Sequence, residues 1–407
     1  MRRPGRASQP EPAITSAADT ATPAARPWWR RWRPLLSTAL ALVVLLAASV
    51  AVAWHFSSAV LVPDRSDWPA DATVERLSSH RIVLSRSEAT LRPGVYGLLW
   101  QGGHAILGEV TSRNGDSVTR HLRAASGYLR PGMKVAIDAD VYVGDPRQAL
   151  GLPFADVRMP DELGPMPAWS IPGRTHTWAI VAHGVNGDAR EGLRIAPTLH
   201  RAGLPTLLIS YREDLGAPPS PDGLHHMGLT EWRDLEAAAR YALAHGARRL
   251  ILVGYSMGGA IVAQFMQRSP LAGRVAGLVL DAPVLDWKAV LSFNATEMGL
   301  PAFAADPVEW VIGARIDADW DSLDALDHTA DFRLPILLFH GDADKVVPIA
   351  TSNDFAAKLP HWITYYRVPE AGHTESWNVD PRLYEQRLRA FLRRIDAAPH
   401  RLFKKPG

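Results

Sequence analysis

The sequence of 407 residues predicts an α/β protein with a mostly parallel, doubly wound sheet, preceded by a transmembrane helix and a small β-rich domain. The first observation is that apolar runs alternate with helical patterns after about residue 174, which is typical of a parallel sheet with crossover helices. The second is a series of short apolar or alternating runs, separated by glycine and proline turns, over residues 76–145. The third is an uncharged stretch of about twenty residues that precedes both.

The uncharged stretch, Leu35 to Trp54, predicts a transmembrane helix over residues 34–55. The leader before it, residues 1–33, is rich in proline, alanine and arginine and is expected to be disordered. Arginines cluster just before the helix and are sparse just after it. The positive-inside rule therefore predicts a single-pass protein of the cell membrane, with a cytoplasmic N-terminus and an extracytoplasmic folded part. The alternative is a signal peptide cleaved at Ala51–Ala53, which leads to secretion.

The other domain boundaries follow from changes in the pattern of apolar residues. In chain order they are a linker (56–75), a small β-rich domain (76–145), an irregular, proline-rich connector (146–173), a doubly wound domain (174–398) and a tail (399–407). Within the doubly wound domain, about fifty residues separate two strands, which is more than an ordinary crossover needs. This spacing predicts a cap insertion at about 285–333.

Composition excludes several kinds of function. The net charge of +2 provides no basic field for nucleic acid, so no nucleic-acid partner is expected. The chain has no cysteine, which rules out disulfides, thiolate metal sites and a cysteine nucleophile. No glycine loop of the phosphate-binding type is present, and we expect no cofactor and no metal. The oligomeric state stays open.

The stretch Gly254-Tyr255-Ser256-Met257-Gly258 follows an apolar, strand-like run and precedes a helical pattern. A serine hydroxyl is a poor nucleophile unless a base removes its proton and a sharp turn exposes it. Such a turn brings two backbone segments close together, so the positions two before and two after the serine need small side chains. The pattern predicts a nucleophile at Ser256.

Residues 175–398 resemble the α/β-hydrolase superfamily, including its esterase/lipase and serine aminopeptidase-like branches. The motifs HGVNG, GYSMGG, HGDADKVVP and EAGH occur in the order in which that superfamily places its oxyanion loop, serine, acid and histidine. The resemblance implies the α/β-hydrolase fold and a serine hydrolase that works through an acyl-enzyme without a cofactor.

The resemblance also implies roles for individual residues. Ser256 is the nucleophile, His373 is the base, and Asp344 is the acid that orients His373. Two other carboxylates are alternatives for the acid: Asp342, two positions earlier, and Asp281, at the end of the preceding strand.

The oxyanion hole is expected to use two backbone N–H groups. The resemblance assigns them to Met257, directly after the nucleophile, and to Val185 in the HGVNG loop, with Asn186 as the nearest alternative. His340, just before the acid, is interpreted as a residue that shapes the turn.

The cap insertion is the region from which we infer the substrate. It combines large apolar side chains with many carboxylates, which favours a small-molecule or lipid acyl substrate, although a cap that only covers the sheet fits equally well. An ester, thioester or lipid-like substrate is therefore predicted. A serine peptidase and a non-enzymatic, envelope-binding protein on the same scaffold are the alternatives, and the role of residues 76–145 stays open.

Overall fold

The structure, a computed structural model, describes residues 32–66 and 69–397. The chain divides between Ser49 and Val50 into two compact units, of which the second contains the barrel and the large sheet. The predicted tail and all but the last two residues of the predicted leader lie outside the described residues.

Helix α1 (Arg33–Leu61) is long and apolar enough to cross a membrane by length and composition alone, a test that a signal sequence also passes. It continues into the segment predicted to be a linker, 56–75. Its last turns are held by the folded unit, because Ser57 and Leu61 are fully buried and His225 donates its backbone N–H to the Leu61 carbonyl oxygen at 2.8 Å. The first part of the predicted linker is therefore helical.

A closed antiparallel barrel of six strands follows, in the order β1-β2-β5-β4-β3-β6. Its strands are β1 (Ala72–Leu77), β2 (Arg81–Ser85), β3 (Tyr96–Trp100), β4 (Gly103–Asn114), β5 (Ser117–Ser126) and β6 (Lys134–Asp138). A short helix, α2 (Glu88–Leu91), joins β2 to β3. Alternate side chains such as Ile82, Leu84 and Leu98 are fully buried in the barrel, as expected for strands with one inward face. The predicted β-rich domain is confirmed, although it begins before residue 76.

The second sheet has eight strands in the order β14-β13-β12-β11-β9-β10-β8-β7. They are β7 (Ala155–Met159), β8 (Met166–Ile171), β9 (Thr177–Ala182), β10 (Thr206–Ile209), β11 (Arg249–Tyr255), β12 (Val275–Asp281), β13 (Ile336–Gly341) and β14 (Ile363–Val368). The strands from β14 to β10 run parallel to one another. Strand β8 is antiparallel to β10, and β7 is antiparallel to β8. The predicted mostly parallel sheet is confirmed.

The two antiparallel strands correct the prediction of an irregular connector at 146–173. Helix α3 (Pro146–Leu150) opens this segment, and β7 and β8 then extend the edge of the sheet beside β10. The prolines that suggested irregular structure are tolerated because Pro160 and Pro165 lie between the two strands, and Pro167 is the second residue of β8, close to its start.

Helices cover both faces of the large sheet. They are α4 (Ala196–Arg201), α5 (Trp232–Ala244), α6 (Met257–Arg268), α7 (Trp287–Glu297), α8 (Asp306–Ile316), α9 (Ile349–Lys358), α10 (Ser376–Val379) and α11 (Pro381–Ala397). Ile180 and Ala182 of β9 pack in the cluster that contains α5 and α6, whereas Ala179 and Val181 pack in the cluster that contains α4 and α11. This alternation is the doubly wound arrangement.

The predicted cap insertion consists mainly of α7 and α8. Trp287 packs into the core below it, while Phe303 and Trp310 are 71% and 67% exposed. Arg315 on α8 donates a hydrogen bond to the Ser57 hydroxyl at 2.8 Å. The cap thus lies over one face of the sheet and contacts the end of α1.

Candidate active site

A sharp turn between β11 and α6 carries Ser256. Its φ of 49° lies in the left-handed region, where a residue other than glycine is strained. Backbone hydrogen bonds hold the turn, because the Ser256 N–H donates to the Asp281 carbonyl at 3.2 Å and the Ser256 carbonyl accepts from Gly259 at 2.9 Å. The parallel strand and the helix N-terminus therefore present the hydroxyl at the carboxyl edge of the sheet.

The flanking glycines have a steric reason. A Cβ at Gly254 would lie 2.5 Å from the carbonyl oxygen of Gly258, and a Cβ at Gly258 would lie 2.3 Å from the carbonyl oxygen of Ala182. Both contacts are with backbone atoms, which have no flexible end that could move aside. The turn therefore requires glycine at both positions.

Three side chains of the predicted site form one hydrogen-bonded chain. The Ser256 Oγ lies 2.8 Å from Nε2 of His373, and the His373 Nδ1 lies 2.8 Å from Oδ2 of Asp344. His373 follows β14 and Asp344 follows β13, so parallel strands bring both to the same edge as Ser256. With Asp344 as acceptor, Nδ1 carries the proton and Nε2 is free to accept one from the serine.

The two alternative carboxylates have other partners. Asp342 accepts the backbone N–H of Glu370 at 2.8 Å and so shapes the loop. Asp281 accepts a hydrogen bond from the Ser376 hydroxyl at 2.6 Å. Of the three candidate acids, Asp344 is the one that contacts the His373 ring.

The surroundings of Asp344 and His373 determine the charges of these two side chains. Burial opposes ionisation of Asp344, but hydrogen bonds with His340 and His373 outweigh it and hold the pKa of Asp344 well below its usual range. Burial likewise opposes protonation of His373, yet Asp344 raises the pKa of His373 above the ordinary value. Asp344 consequently stays ionised throughout the titration of His373. His340 is fully buried behind the acid, with its Nδ1 2.7 Å from the Ser352 hydroxyl.

The loop after β9 lies beside the serine. Within the described residues, neither Val185 nor Met257 has a hydrogen-bond acceptor for its backbone N–H, whereas the Gly184 N–H donates to Glu191 at 2.8 Å. The backbone N–H of Asn186, the alternative donor, likewise has no acceptor there, and its side-chain oxygen accepts the Asp64 N–H at 2.9 Å. The choice between Val185 and Asn186 as the partner of Met257 therefore stays a prediction.

His183 below this loop is buried between two hydrogen-bond acceptors. Its Nδ1 lies 2.8 Å from the Gly184 carbonyl oxygen and its Nε2 lies 2.8 Å from the Asp214 carboxylate. Both partners are acceptors, so both ring nitrogens must carry protons. Burial opposes this charge, but Asp214 outweighs it and raises the pKa of His183 to about 9. The ring also stacks on Tyr211, at 4.3 Å between centroids.

A buried ion pair that sequence reasoning missed supports the loops around the site. Arg194 donates to Glu191 at 2.8 Å, to the Thr374 carbonyl at 2.8 Å and to the Asn378 side chain at 2.9 Å. Because Glu191 also accepts the Gly184 N–H, this pair joins the loop after β9 to the loop of His373. The available signal was a charged pair at i and i+3, but the nearby charges of Asp188 and Arg190 conceal it in the sequence.

A cleft of about 700 Å³ opens over Ser256. One wall comes from the large sheet and its loops, and the other from the barrel, including Leu91, Pro93 and Ile137. The cap insertion, 285–333, contributes none of the residues lining this cleft. Its apolar side chains lie in the core or face outward, which favours the alternative of a cap that only covers the sheet.

Two family models and an uncharacterized protein match parts of this chain. Residues 221–395 match the prolyl oligopeptidase family, and residues 73–138 match a domain of unknown function, DUF8805. The uncharacterized protein Rv2307c of Mycobacterium tuberculosis is 27% identical over 232 residues, which cover 55% of this chain and 73% of that protein.

Two solved structures superpose on this chain at low sequence identity. The Pyrococcus furiosus esterase Pf2001 superposes with a TM-score of 0.50 at 18% identity, covering 62% of this chain and 96% of the esterase. A proline iminopeptidase-related protein of Thermus thermophilus gives a TM-score of 0.47 at 16% identity, with coverages of 60% and 99%. Together with the strand order and the family match, the shared fold of the esterase shows that this chain has the α/β-hydrolase fold.

Proposed function

We propose that the protein is a serine hydrolase that cleaves an ester, thioester or lipid-like acyl substrate through an acyl-enzyme. The observation that carries this proposal is the chain of hydrogen bonds from Ser256 through His373 to Asp344, with 2.8 Å at each step. Binding alone needs none of these three groups in this arrangement, whereas nucleophilic catalysis needs all of them.

The chemistry follows from the geometry. His373 Nε2 accepts the Ser256 proton while Oγ attacks the substrate carbonyl carbon, and the backbone N–H groups of Met257 and Val185 donate to the oxygen that becomes negative. The imidazolium, stabilised by Asp344, then gives its proton to the leaving group. Water then attacks the acyl-enzyme carbonyl carbon while His373 takes its proton. His373 returns that proton to Ser256 Oγ as the acyl–oxygen bond breaks, and the acid product leaves.

The cleft favours a small acyl substrate. Its volume of about 700 Å³ lies in the range typical of small-molecule sites. Leu91, Pro93 and Ile137 provide an apolar surface for an acyl chain. The second candidate is a serine peptidase, which the match of residues 221–395 to the prolyl oligopeptidase family favours.

The enzyme hypothesis is tested by labelling with a fluorophosphonate probe. The wild-type chain in detergent is expected to become covalently labelled, and Ser256→Ala is expected to lose the label because the probe bonds to the activated oxygen. Wild-type protein that stays unlabelled beside a reactive control hydrolase would overturn the proposal. Esters of p-nitrophenol with increasing acyl length, compared with aminoacyl amides, then separate the esterase from the peptidase.

We further propose that α1 tethers the enzyme to the cell membrane, with the N-terminus in the cytoplasm and the cleft outside. The apolar length of the helix and the arginines before it support this orientation. A C-terminal alkaline phosphatase fusion is expected to be active, and a C-terminal green fluorescent protein fusion is expected to be dark. The reverse pattern contradicts the orientation, and a shortened, released product indicates signal cleavage instead.

A further inference from the structure

The barrel contacts the loop of the proposed base through one buried carboxylate. The side chain of Glu375 is 5% exposed and lies two positions after His373. It accepts hydrogen bonds from Arg92 at 2.7 Å and from the Tyr96 hydroxyl at 3.0 Å, both of which belong to the barrel domain. It also accepts the backbone N–H of Gly372 at 3.3 Å. Glu375 thus joins the barrel to both sides of His373.

The barrel side of this contact is itself rigidly held. Arg120 is fully buried and donates to the carbonyl oxygens of Thr90, Arg92 and Gly94 at 3.2, 2.7 and 2.7 Å. A charged guanidinium surrounded by carbonyl oxygens stabilises the non-regular segment before β3. This segment is the one that presents Arg92 to Glu375.

A second contact lies next to the first. The Val95 N–H donates to the Asn378 carbonyl at 2.9 Å, and the Asn378 side chain donates back to the Val95 carbonyl at 2.8 Å. A Cβ at Gly94 would lie 2.0 Å from the Asn378 carbonyl oxygen, so the two backbones pass as closely as glycine allows.

The loop of His373 needs this support. Thr374, the next residue, has a φ of 53°, which is rare for a β-branched side chain and persists only where surrounding contacts enforce it. Released from the barrel, the loop would relax and move His373 away from Ser256. A displacement of about 1 Å is enough to lower the rate of such a step by about a hundredfold.

We propose that the barrel is part of the catalytic apparatus, and that Glu375 is a positioning residue through which Arg92 and Tyr96 hold His373 in line with Ser256. This inference rests on the proposed serine hydrolase function. It gives the barrel a role in the reaction itself, beyond forming one wall of the cleft.

The test is a double-mutant cycle in the full chain, with p-nitrophenyl acetate as substrate. Glu375→Gln and Arg92→Met are each expected to lower kcat about 10- to 100-fold, because the base is misplaced, and to change KM less than about threefold. Both side chains also line the cleft, so kcat and KM are measured separately. The double variant is expected to lose no more than the more impaired single variant, because both changes break the same contact. The rate of fluorophosphonate labelling is expected to fall in parallel.

The matched control is Arg201→Met, the same substitution at another partly exposed arginine. It breaks an ion pair to Glu385 at 3.0 Å, and neither residue of this pair lines the cleft. Its kcat is expected to stay within about twofold of wild type, since exposed pairs contribute little.

Three outcomes distinguish the explanations. If Glu375→Gln and Arg92→Met lower the melting temperature but leave kcat unchanged, the contact is only structural and the inference is overturned. Additive losses in the double variant overturn it as well. If wild type and Ser256→Ala hydrolyse the ester equally, the proposed function itself fails. Arg92 is partly exposed, so Arg92→Met is expected to fold even if Glu375→Gln does not.

Discussion

Asp344→Asn is expected to lower kcat by about 10⁴-fold, the size of effect seen when the acid of a serine–histidine pair becomes an amide. The hydrogen bond between His373 Nδ1 and Asp344 Oδ2 is 2.8 Å long, and it leaves Nε2 free to accept the Ser256 proton. An asparagine that offers its NH₂ group there would select the other tautomer, which places a proton on Nε2. It would also remove the negative charge that stabilises the imidazolium.

The chain provides its own control for this substitution. Asp342→Asn changes a carboxylate in the same loop, but its Oδ1 accepts the Glu370 backbone N–H and an amide oxygen can accept it as well. We expect kcat of Asp342→Asn to stay within about threefold of wild type, because surface turn contacts contribute little. Steady-state kinetics of both variants on the same ester shows which of the two carboxylates orients His373. A large loss in Asp342→Asn with a small one in Asp344→Asn would exchange the two roles.

The three residues that the motifs predicted could be brought together because each follows a strand. Ser256, Asp344 and His373 follow β11, β13 and β14, and parallel strands bring their carboxyl ends to one edge. Short local motifs were therefore enough to predict a common location from positions far apart in the chain. The choice between Asp344 and Asp342, by contrast, depends on side-chain direction within one loop, which spacing alone left open.

The partners of the site were less visible in the sequence. Arg92 and Glu375 are separated by 283 positions, and neither has a motif that points to the other. The sequence of the barrel domain therefore did not indicate that this domain forms a wall of the cleft. Strands β7 and β8 were missed because prolines between them resemble a loop, and their pairing is set by the neighbouring β10 rather than by their own pattern.

Gly258→Ala is expected to destabilise the folded unit by about 3 kcal/mol or more and to abolish fluorophosphonate labelling. The added Cβ would lie 2.3 Å from the Ala182 carbonyl oxygen and 2.7 Å from that of His183, so β9 and α6 would have to separate. That movement displaces both the Met257 N–H and the Ser256 hydroxyl. The melting temperature and the labelling rate, measured below the unfolding transition, report the two effects separately.

Gly313→Ala is the matched control, since it also places alanine for glycine within a helix. Its nearest neighbour would be Nε1 of Trp320, at an ordinary 3.4 Å. Alanine favours the helix by about 1 kcal/mol over glycine, so this variant is expected to melt at or above the wild-type temperature and to label normally. If Gly258→Ala behaved like Gly313→Ala, the close approach of β9 and α6 would not be what exposes the serine. A selective loss in Gly258→Ala instead ties the glycine of the turn directly to the reactivity of Ser256.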